Sequence, residues 1–322
     1  MTYNVKINPA GIIYKALKNK TILDGALENK LFLEYSCKKG NCNLCEASLL
    51  SGSVKNEHGE VISSGKFLTC SSYAETNISL NASYCPELAN IESMTLPCKV
   101  DKLAIKADDI AILTLRIPPT SAFNYLPGQY IDLSYQGVKR SYSLANIKEN
   151  SLIELHIRLL PNGEFSQLLK NISLNQLMRI EGPKGTFFIR ETTNPIILLA
   201  GGTGFAPIKA MAEGLISAGS SREIFIYWGM TEAKRFYTDV ASNWAKEFKN
   251  IKYIPVVSGN DESWKGRFGL VHEAVLEDFS SLSRYEVYAC GSPNLIDKAK
   301  ELFLQEGLNP DNFYADAFVP SN

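Results

Sequence analysis

Three thiols crowd into one short stretch of this 322-residue chain, "CKKGNCNLC", at Cys37, Cys42 and Cys45, and a fourth follows at Cys70. A C-x4-C-x2-C run with a distant fourth cysteine is the spacing by which four thiolates hold two irons and two sulfides in a plant-type 2Fe–2S centre. Such a loop must curl around the cluster and aim backbone N–H groups at its sulfurs, which tunes the potential. Gly40 suits the tight turn required. A structural four-cysteine zinc site is the alternative; its usual form has two C-x2-C pairs, and only one pair here has that spacing.

Five further segments carry chemistry. In Arg140-Ser141-Tyr142-Ser143, an arginine can fork onto a pyrophosphate. A tyrosine two residues on, on the same strand face, can lay its ring against a planar heterocycle, and Ser143 can hydrogen-bond a ring nitrogen. The segment "PNGEFSQLL" would open a helix at residues 163–166, where Gly163, Phe165 and Ser166 offer free backbone N–H groups to a phosphate. "GPKGTF" supplies another tight turn. The run Gly201-Gly202-Thr203-Gly204 follows a buried-looking strand and opens a helix, the setting of a dinucleotide-phosphate loop. It lacks the G-x-G-x-x-G form, and a plain strand-to-helix turn explains one glycine better than three. Cys290-Gly291 falls at the predicted C-terminal end of a parallel strand, where ligands gather in such sheets, although a buried thiol is the simpler reading of Cys290 alone.

The elements that must position these residues fall into three regions. Residues 1–90 read as two short strands, an amphipathic helix "TILDGALENK" capped by Thr21, and the cysteine loop. "CPELANIESMTLP" reads as a connector. Residues 98–192 alternate apolar and polar with Gly and Pro punctuation, which predicts an antiparallel barrel with one helical insertion. Residues 193–322 alternate strand and helix, which predicts a parallel sheet with helices on both faces. Formal net charge is −1 with 21% charged residues, which argues against nucleic acid as a partner. The longest apolar run, "PIILLAGGTGFAPI", is broken by glycines and falls short of a bilayer span. The N-terminal "MTYNVKINPA" has no apolar signal core. The expectation is a soluble, cytoplasmic protein whose cysteines stay reduced, with Cys85 and Cys98 as small buried hydrophobes.

Taken together, these residues resemble the ferredoxin-type flavin reductases, built as a plant-type ferredoxin domain of β-grasp fold, an antiparallel β-barrel FAD domain and a parallel α/β NAD(P)-binding domain. The resemblance spans essentially the whole chain. It implies that Arg140 contacts the FAD pyrophosphate, Tyr142 packs on the isoalloxazine and Ser143 faces its N5. It also implies that Gly163, Phe165 and Ser166 complete the pyrophosphate site, that Gly202, Thr203 and Gly204 bind the nicotinamide nucleotide, and that Cys290 and Gly291 lie where hydride passes. Phe318 is expected either to shield the flavin face that nicotinamide enters or to plug a core. The segments "PGQYIDL", "RSYSLAN", "LAGGTGFAP", "IYWGM", "YIPVVSG", "VYACGS" and the terminal "DAFVPS" lean toward family members that serve deoxysugar synthesis. Two departures stand out: Asn43 replaces the family's glycine after the second cysteine, and the loop from Cys45 to Cys70 is short. Asparagine tolerates left-handed geometry, so the loop can survive.

The activity implied is transfer of electrons from NADH, with NADPH as the alternative, through FAD and the 2Fe–2S cluster to a protein acceptor. One chain carrying all three domains keeps donor and acceptor at high effective concentration. The acceptor implied is a pyridoxamine-phosphate-dependent dehydratase that deoxygenates C3 of a CDP-4-keto-6-deoxyhexose. Two other readings remain at this point: the reductase component of an aromatic or alkane oxygenase, and a non-catalytic zinc-stapled binding module. Lys234 and Arg235, after the second strand of the last region, could attract a 2′-phosphate or simply be solvated.

Overall fold

In the computed structural model, residues 1–319 are described and the chain divides into two units, Met1–Ile91 and Glu92–Asn322. In the first, alternating burial along the opening residues forms a hairpin of β1 (Thr2–Asn8) and β2 (Ile12–Leu17), turned at Gly11 with φ +71°. The helix α1 (Ile22–Glu28) begins where the Thr21 hydroxyl accepts the Asp24 N–H at 3.1 Å. Its Ile22, Leu23 and Ala26 are buried in a core with Val5, Ile7 and Leu80. The strands β3 (Glu46–Ser51), β4 (Gly65–Leu68) and β5 (Ile78–Asn81) complete a five-stranded mixed sheet, ordered β2-β1-β5-β3-β4. Strand β1 pairs parallel with the central β5, and α1 packs on β2, giving the β-grasp. The short Cys45–Cys70 connection is itself ordered: its Val54–Lys55 and Val61–Ile62 form a small three-stranded sheet with Tyr73–Ala74, which follows Cys70.

In the second unit, β6 (Met94–Lys106), β7 (Ile110–Arg116), β8 (Tyr130–Tyr135), β9 (Val138–Ser143), β10 (Leu152–Arg158) and β11 (Leu177–Lys184) form an antiparallel sheet. Its order is β9-β8-β11-β6-β7-β10, and the helix α2 (Glu164–Lys170) sits between β10 and β11. The sheet curls until its edge strands meet: Leu144 bridges Leu155, and the Ala145 N–H donates to the Glu154 carbonyl at 2.8 Å. The sequence placed Met94 to Pro97 in the connector, but they begin β6. Residues 94–98 pair only with β11, while β7 joins β6 from Lys99 onward, so Pro97 sits where one side of the strand has no ladder and its missing N–H is tolerated.

The remaining elements are β12 (Ile196–Gly201), α3 (Phe205–Ser217), β13 (Ile224–Met230), α4 (Val240–Glu247), β14 (Ile251–Val257), β15 (Arg267–Phe268), α5 (Val271–Asp278), β16 (Glu286–Gly291), α6 (Pro293–Gln305) and β17 (Phe313–Ala317). All pairings in this sheet are parallel, in the order β15-β14-β13-β12-β16-β17. Residues 196–200 are all fully buried, as a strand covered on both faces requires. Leu198, Ala200, Ile226, Trp228, Tyr288 and Cys290 share a core with residues of α3 and α4. The opposite-parity positions lie toward α5 and α6: a side chain at Gly229 would strike Val271, and one at Gly201 or Gly291 would strike Leu295. No helix among the described residues is long and apolar enough to cross a membrane.

Candidate functional site

The cysteine loop is shaped by residues that accept positive φ. Lys38, Gly40 and Asn43 have φ of 55°, 72° and 54°. Asn43 thus takes the left-handed conformation that its residue type suits. Cys70 reaches the loop because β3 and β4 pair with Glu46 opposite Leu68, and the Thr69 N–H and hydroxyl both donate to the Cys45 carbonyl at 3.1 Å. The thiols meet as two pairs: Cys45 Sγ lies 3.1 Å from Cys70 Sγ, and Cys37 hydrogen-bonds Cys42. Those hydrogen bonds hold the Cys37 thiol down to about 5 and the Cys45 thiol down to about 7, and push their partners up. Backbone N–H groups converge on the sulfurs, with Lys39 donating to Cys37 at 3.3 Å and further amides from Asn41, Leu44 and Gly40. Two thiol pairs ringed by amide donors fit a two-iron cluster, which needs two thiolates per iron and donors toward its negative sulfurs.

In the barrel, the hairpin β8–β9 pairs Leu133 with Arg140 and Ile131 with Tyr142, which puts Arg140 and Tyr142 on one face. Arg140 Nη2 lies 3.5 Å from Glu164 Oε2, so the guanidinium stands at the start of α2 beside Gly163. That contact joins two motifs through residues 24 positions apart in sequence, Arg140 and Glu164. The donor set, a guanidinium at a helix start with a half-buried tyrosine ring two residues along, fits an anionic pyrophosphate joined to a planar heterocycle. Two of the residues have other duties. The Phe165 ring is in the barrel core, 5.6 Å from Tyr142 by ring centroids, and the Ser166 hydroxyl accepts the Leu160 N–H at 2.9 Å. Only their backbone faces remain for a phosphate, and the Gly163 N–H, expected to be free, donates to the Leu160 carbonyl at 3.1 Å because the chain turns there into α2.

The strand order of the parallel sheet reverses between β12 and β16, and such a switch point opens the crevice where nucleotides bind. Gly202–Gly204 forms a 3-10 turn there, leading into α3, which has no capping side chain to compete for its first N–H groups. Two glycines have distinct reasons. Gly202 has φ +58° with open space where a side chain would stand, whereas a Cβ on Gly204 would lie 2.3 Å from the Cys290 carbonyl oxygen. The loop therefore rests directly on β16. Cys290 is fully enclosed, and burial first, then the neighbouring Asp316, raises its thiol well above the usual range. Phe318 donates its N–H to the Gly291 carbonyl at 2.8 Å and packs, half-buried, against this domain's core. Pro320 and Ser321 of the terminal motif lie outside the described residues.

The structure adds one residue that the sequence did not single out. Asp316, 6% exposed at the end of β17, is the register partner of Cys290, and Ser143 Oγ donates to its Oδ2 at 3.4 Å. The carboxylate thus links the barrel strand to the switch point. Asp316→Asn keeps the shape and removes the charge. We expect flavin reduction by NADH to slow by about 10- to 100-fold, the worth of a hydrogen bond to a buried charge, with FAD content unchanged. Stopped-flow absorbance checks this, and an unchanged rate would remove Asp316 from the site. Downstream, both candidate 2′-phosphate cations have carboxylate partners: Arg235 pairs with Asp109 of the barrel and exposed Lys234 with Glu232 at 2.9 Å.

Comparison with known proteins agrees with this architecture. Residues 5–75 match the 2Fe-2S iron-sulfur cluster binding domain, residues 97–189 the oxidoreductase FAD-binding domain and residues 198–301 the oxidoreductase NAD-binding domain. The chain belongs to the 2Fe–2S flavoprotein reductases of the ferredoxin-reductase family, which move electrons from NAD(P)H to a partner. It is 50% identical over the full length of both chains to the CDP-6-deoxy-L-threo-D-glycero-4-hexulose-3-dehydrase reductase of Yersinia pseudotuberculosis serotype I (strain IP32953). It is 31% identical, across 100% of this chain and 98% of the other, to terephthalate 1,2-dioxygenase reductase component 1 of Comamonas sp.. In fold it matches the Amycolatopsis cytochrome P450 reductase GcoB, with a TM-score of 0.79, 24% identity and 99% of each chain covered. When bound, FAD supplies the exchange between hydride and single electrons, and the cluster supplies one-electron transfer.

Proposed function

We propose that this chain is the reductase partner of a pyridoxamine-phosphate-dependent dehydratase, delivering electrons from NADH for removal of the C3 hydroxyl of a CDP-4-keto-6-deoxyhexose. The observation that carries the reading is identity of 50% across the whole of both chains to a reductase named for that dehydrase, against 31% to an oxygenase reductase. In balance, NADH and a proton are consumed, the C3 oxygen leaves as water, and NAD+ and the 3-deoxygenated sugar are formed. Arg140 and the backbone at residues 164–166 hold the FAD pyrophosphate, while Tyr142 and Ser143 face the flavin ring. Gly202, Thr203 and Gly204 hold the nucleotide beside Cys290, Gly291 and Phe318. Cys37, Cys42, Cys45 and Cys70 hold the cluster. NADH is preferred over NADPH in this reading, because Arg235 is paired with Asp109 of the barrel; the exposed Lys234–Glu232 pair adds little. A cytoplasmic setting suits the described free cysteines and the supply of NADH.

The alternative acceptor is an oxygenase, for which the 31% relative is the supporting observation. A reconstitution separates the two. The purified chain, NADH, the dehydratase and its CDP-4-keto-6-deoxyhexose should yield 3-deoxygenated sugar, with no product when any component is left out. Absence of that product, together with turnover of an aromatic ring dioxygenase by the same preparation, would replace the proposal with the alternative.

A further inference from the structure

A loop of three glycines has little stiffness of its own, so a loop that must present a nucleotide at a fixed place has to be pinned from outside. One pin is the contact of Gly204 on β16. A second comes from behind. Trp228 is fully buried in β13, level with Ala200, and its indole Nε1–H donates to the Gly202 carbonyl at 2.9 Å. The indole has a single donor, and burial obliges it to find an acceptor. The Phe205 ring, first residue of α3, lies flat on the same indole, with centroids 3.9 Å apart and planes 10° from parallel. Trp228 therefore grips the loop at both ends.

Trp228 is itself held from the barrel. The Tyr237 ring meets it edge-on at 4.9 Å, and the Tyr237 hydroxyl lies 2.9 Å from Nδ1 of His156, a buried residue of β10. The other ring nitrogen, Nε2, lies 3.0 Å from Glu154 Oε1. Burial raises the Glu154 carboxyl, but His156 and Lys209 outweigh it and hold the group down to about 2. An ionised carboxylate only accepts, so Nε2 carries the proton; burial lowers the imidazole's pKa and keeps the ring neutral, so Nδ1 is the acceptor and Tyr237 the donor. Lys209 of α3 closes the frame, 3.2 Å from the same Glu154 oxygen and donating to the Ala145 carbonyl, two residues past Ser143.

We propose that Trp228 is the positioning residue of the nucleotide loop, and that the Tyr237–His156 pair transmits the barrel's hold to it. The approach of nicotinamide to the flavin barrel is then set by side chains behind the loop as well as by the glycines in it. This inference rests on the NADH-to-flavin reading above. Spatial continuity alone does not show coupling, so the test is a double-mutant cycle.

Trp228→Phe keeps an aromatic ring and loses the donor; Tyr237→Phe loses one oxygen. Holoenzymes of the wild type, both single variants and the double variant are mixed anaerobically with NADH, and the limiting rate of flavin reduction and its half-saturation are read by stopped flow. Dithionite reduction, which needs no nucleotide loop, serves as the control. Trp228→Phe should worsen the ratio of rate to half-saturation by about fivefold, the worth of one buried hydrogen bond. Tyr237→Phe should move it the same way by less, and the double variant should fall short of the product of the two. Wild-type kinetics in Trp228→Phe, or effects that multiply independently, would overturn the proposal. If Trp228→Phe fails to load its cofactors, Tyr237→Phe decides alone: unchanged kinetics reject the relay and a reduced ratio supports it. A wild type that NADH does not bleach would instead sink the functional reading itself.

Discussion

Cys70→Ala is expected to stop electron delivery to any protein acceptor while NADH continues to bleach the flavin. The four thiols and the amides that surround them lie in the unit Met1–Ile91, whereas Arg140, Ser143, the glycine loop and Cys290 lie in the unit Glu92–Asn322. Cys70 is brought to the loop by strand pairing, and Cys45 loses its thiol partner when it is removed. Loss of even an outer group around a metal centre lowers affinity or activity by about 10- to 100-fold, so loss of a direct ligand should reduce cytochrome c reduction by at least about 100-fold. Ferricyanide, a small oxidant able to accept directly from reduced flavin, should still be reduced. Iron analysis and the low-temperature electron paramagnetic resonance signal of the dithionite-reduced protein would show the cluster gone. Full cytochrome c activity in a cluster-free variant would contradict the assigned outlet.

Gly204→Ala should have the converse effect. The backbone of Gly204 is in the ordinary helical region, so alanine is not excluded by its dihedrals. It is excluded by space: the new Cβ would stand 2.3 Å from the Cys290 carbonyl oxygen and 2.6 Å from its carbon. Both belong to backbone in a central strand, so no side-chain rotation relieves the clash. The loop and β16 must separate, at a cost of about 1–3 kcal/mol in stability. The switch point opens in the process, and a displacement near 1 Å at a reacting centre can reduce the rate by about 100-fold. NADH-driven flavin reduction should fall by that order while FAD and iron contents hold. Gly202→Ala is the comparison, since it meets no neighbour and suffers only from its φ of +58°. An equal loss in both variants would point to loop flexibility in place of the contact with Cys290.

Much of this site could be read from the chain because its parts are local. The cysteine run fixes its own geometry through residues whose types announce it, Gly40 and Asn43 at positive φ among them. The glycine loop likewise lies between a wholly apolar strand and a helix, and its setting follows from that order alone. What stayed hidden depends on contacts between distant segments. Asp316 ends an ordinary strand, "FYADA", and meets Ser143 across 173 positions of sequence, with no spacing rule to mark it. Trp228 reads as one more apolar residue of a buried strand, and only the direction of its N–H shows that it holds Gly202. Residues 94–97 were read as connector, and only the pairing shows that they begin β6, with Pro97 where the strand has one neighbour. Phe165 and Ser166 were read as cofactor contacts, and their core and loop duties emerged only from packing.

The central claim is a single electron path from NADH through FAD to the 2Fe–2S centre within one chain. An anaerobic titration of fully loaded protein with NADH, followed by visible absorbance and electron paramagnetic resonance, tests it most directly. The path predicts that FAD and cluster together take up about three electrons per chain, two for the flavin and one for the cluster, so that about 1.5 equivalents of NADH suffice. The flavin band should bleach and a reduced-cluster signal should grow in the same titration. A flavin that NADH does not bleach, or a cluster that stays oxidised while the flavin is reduced, would contradict it.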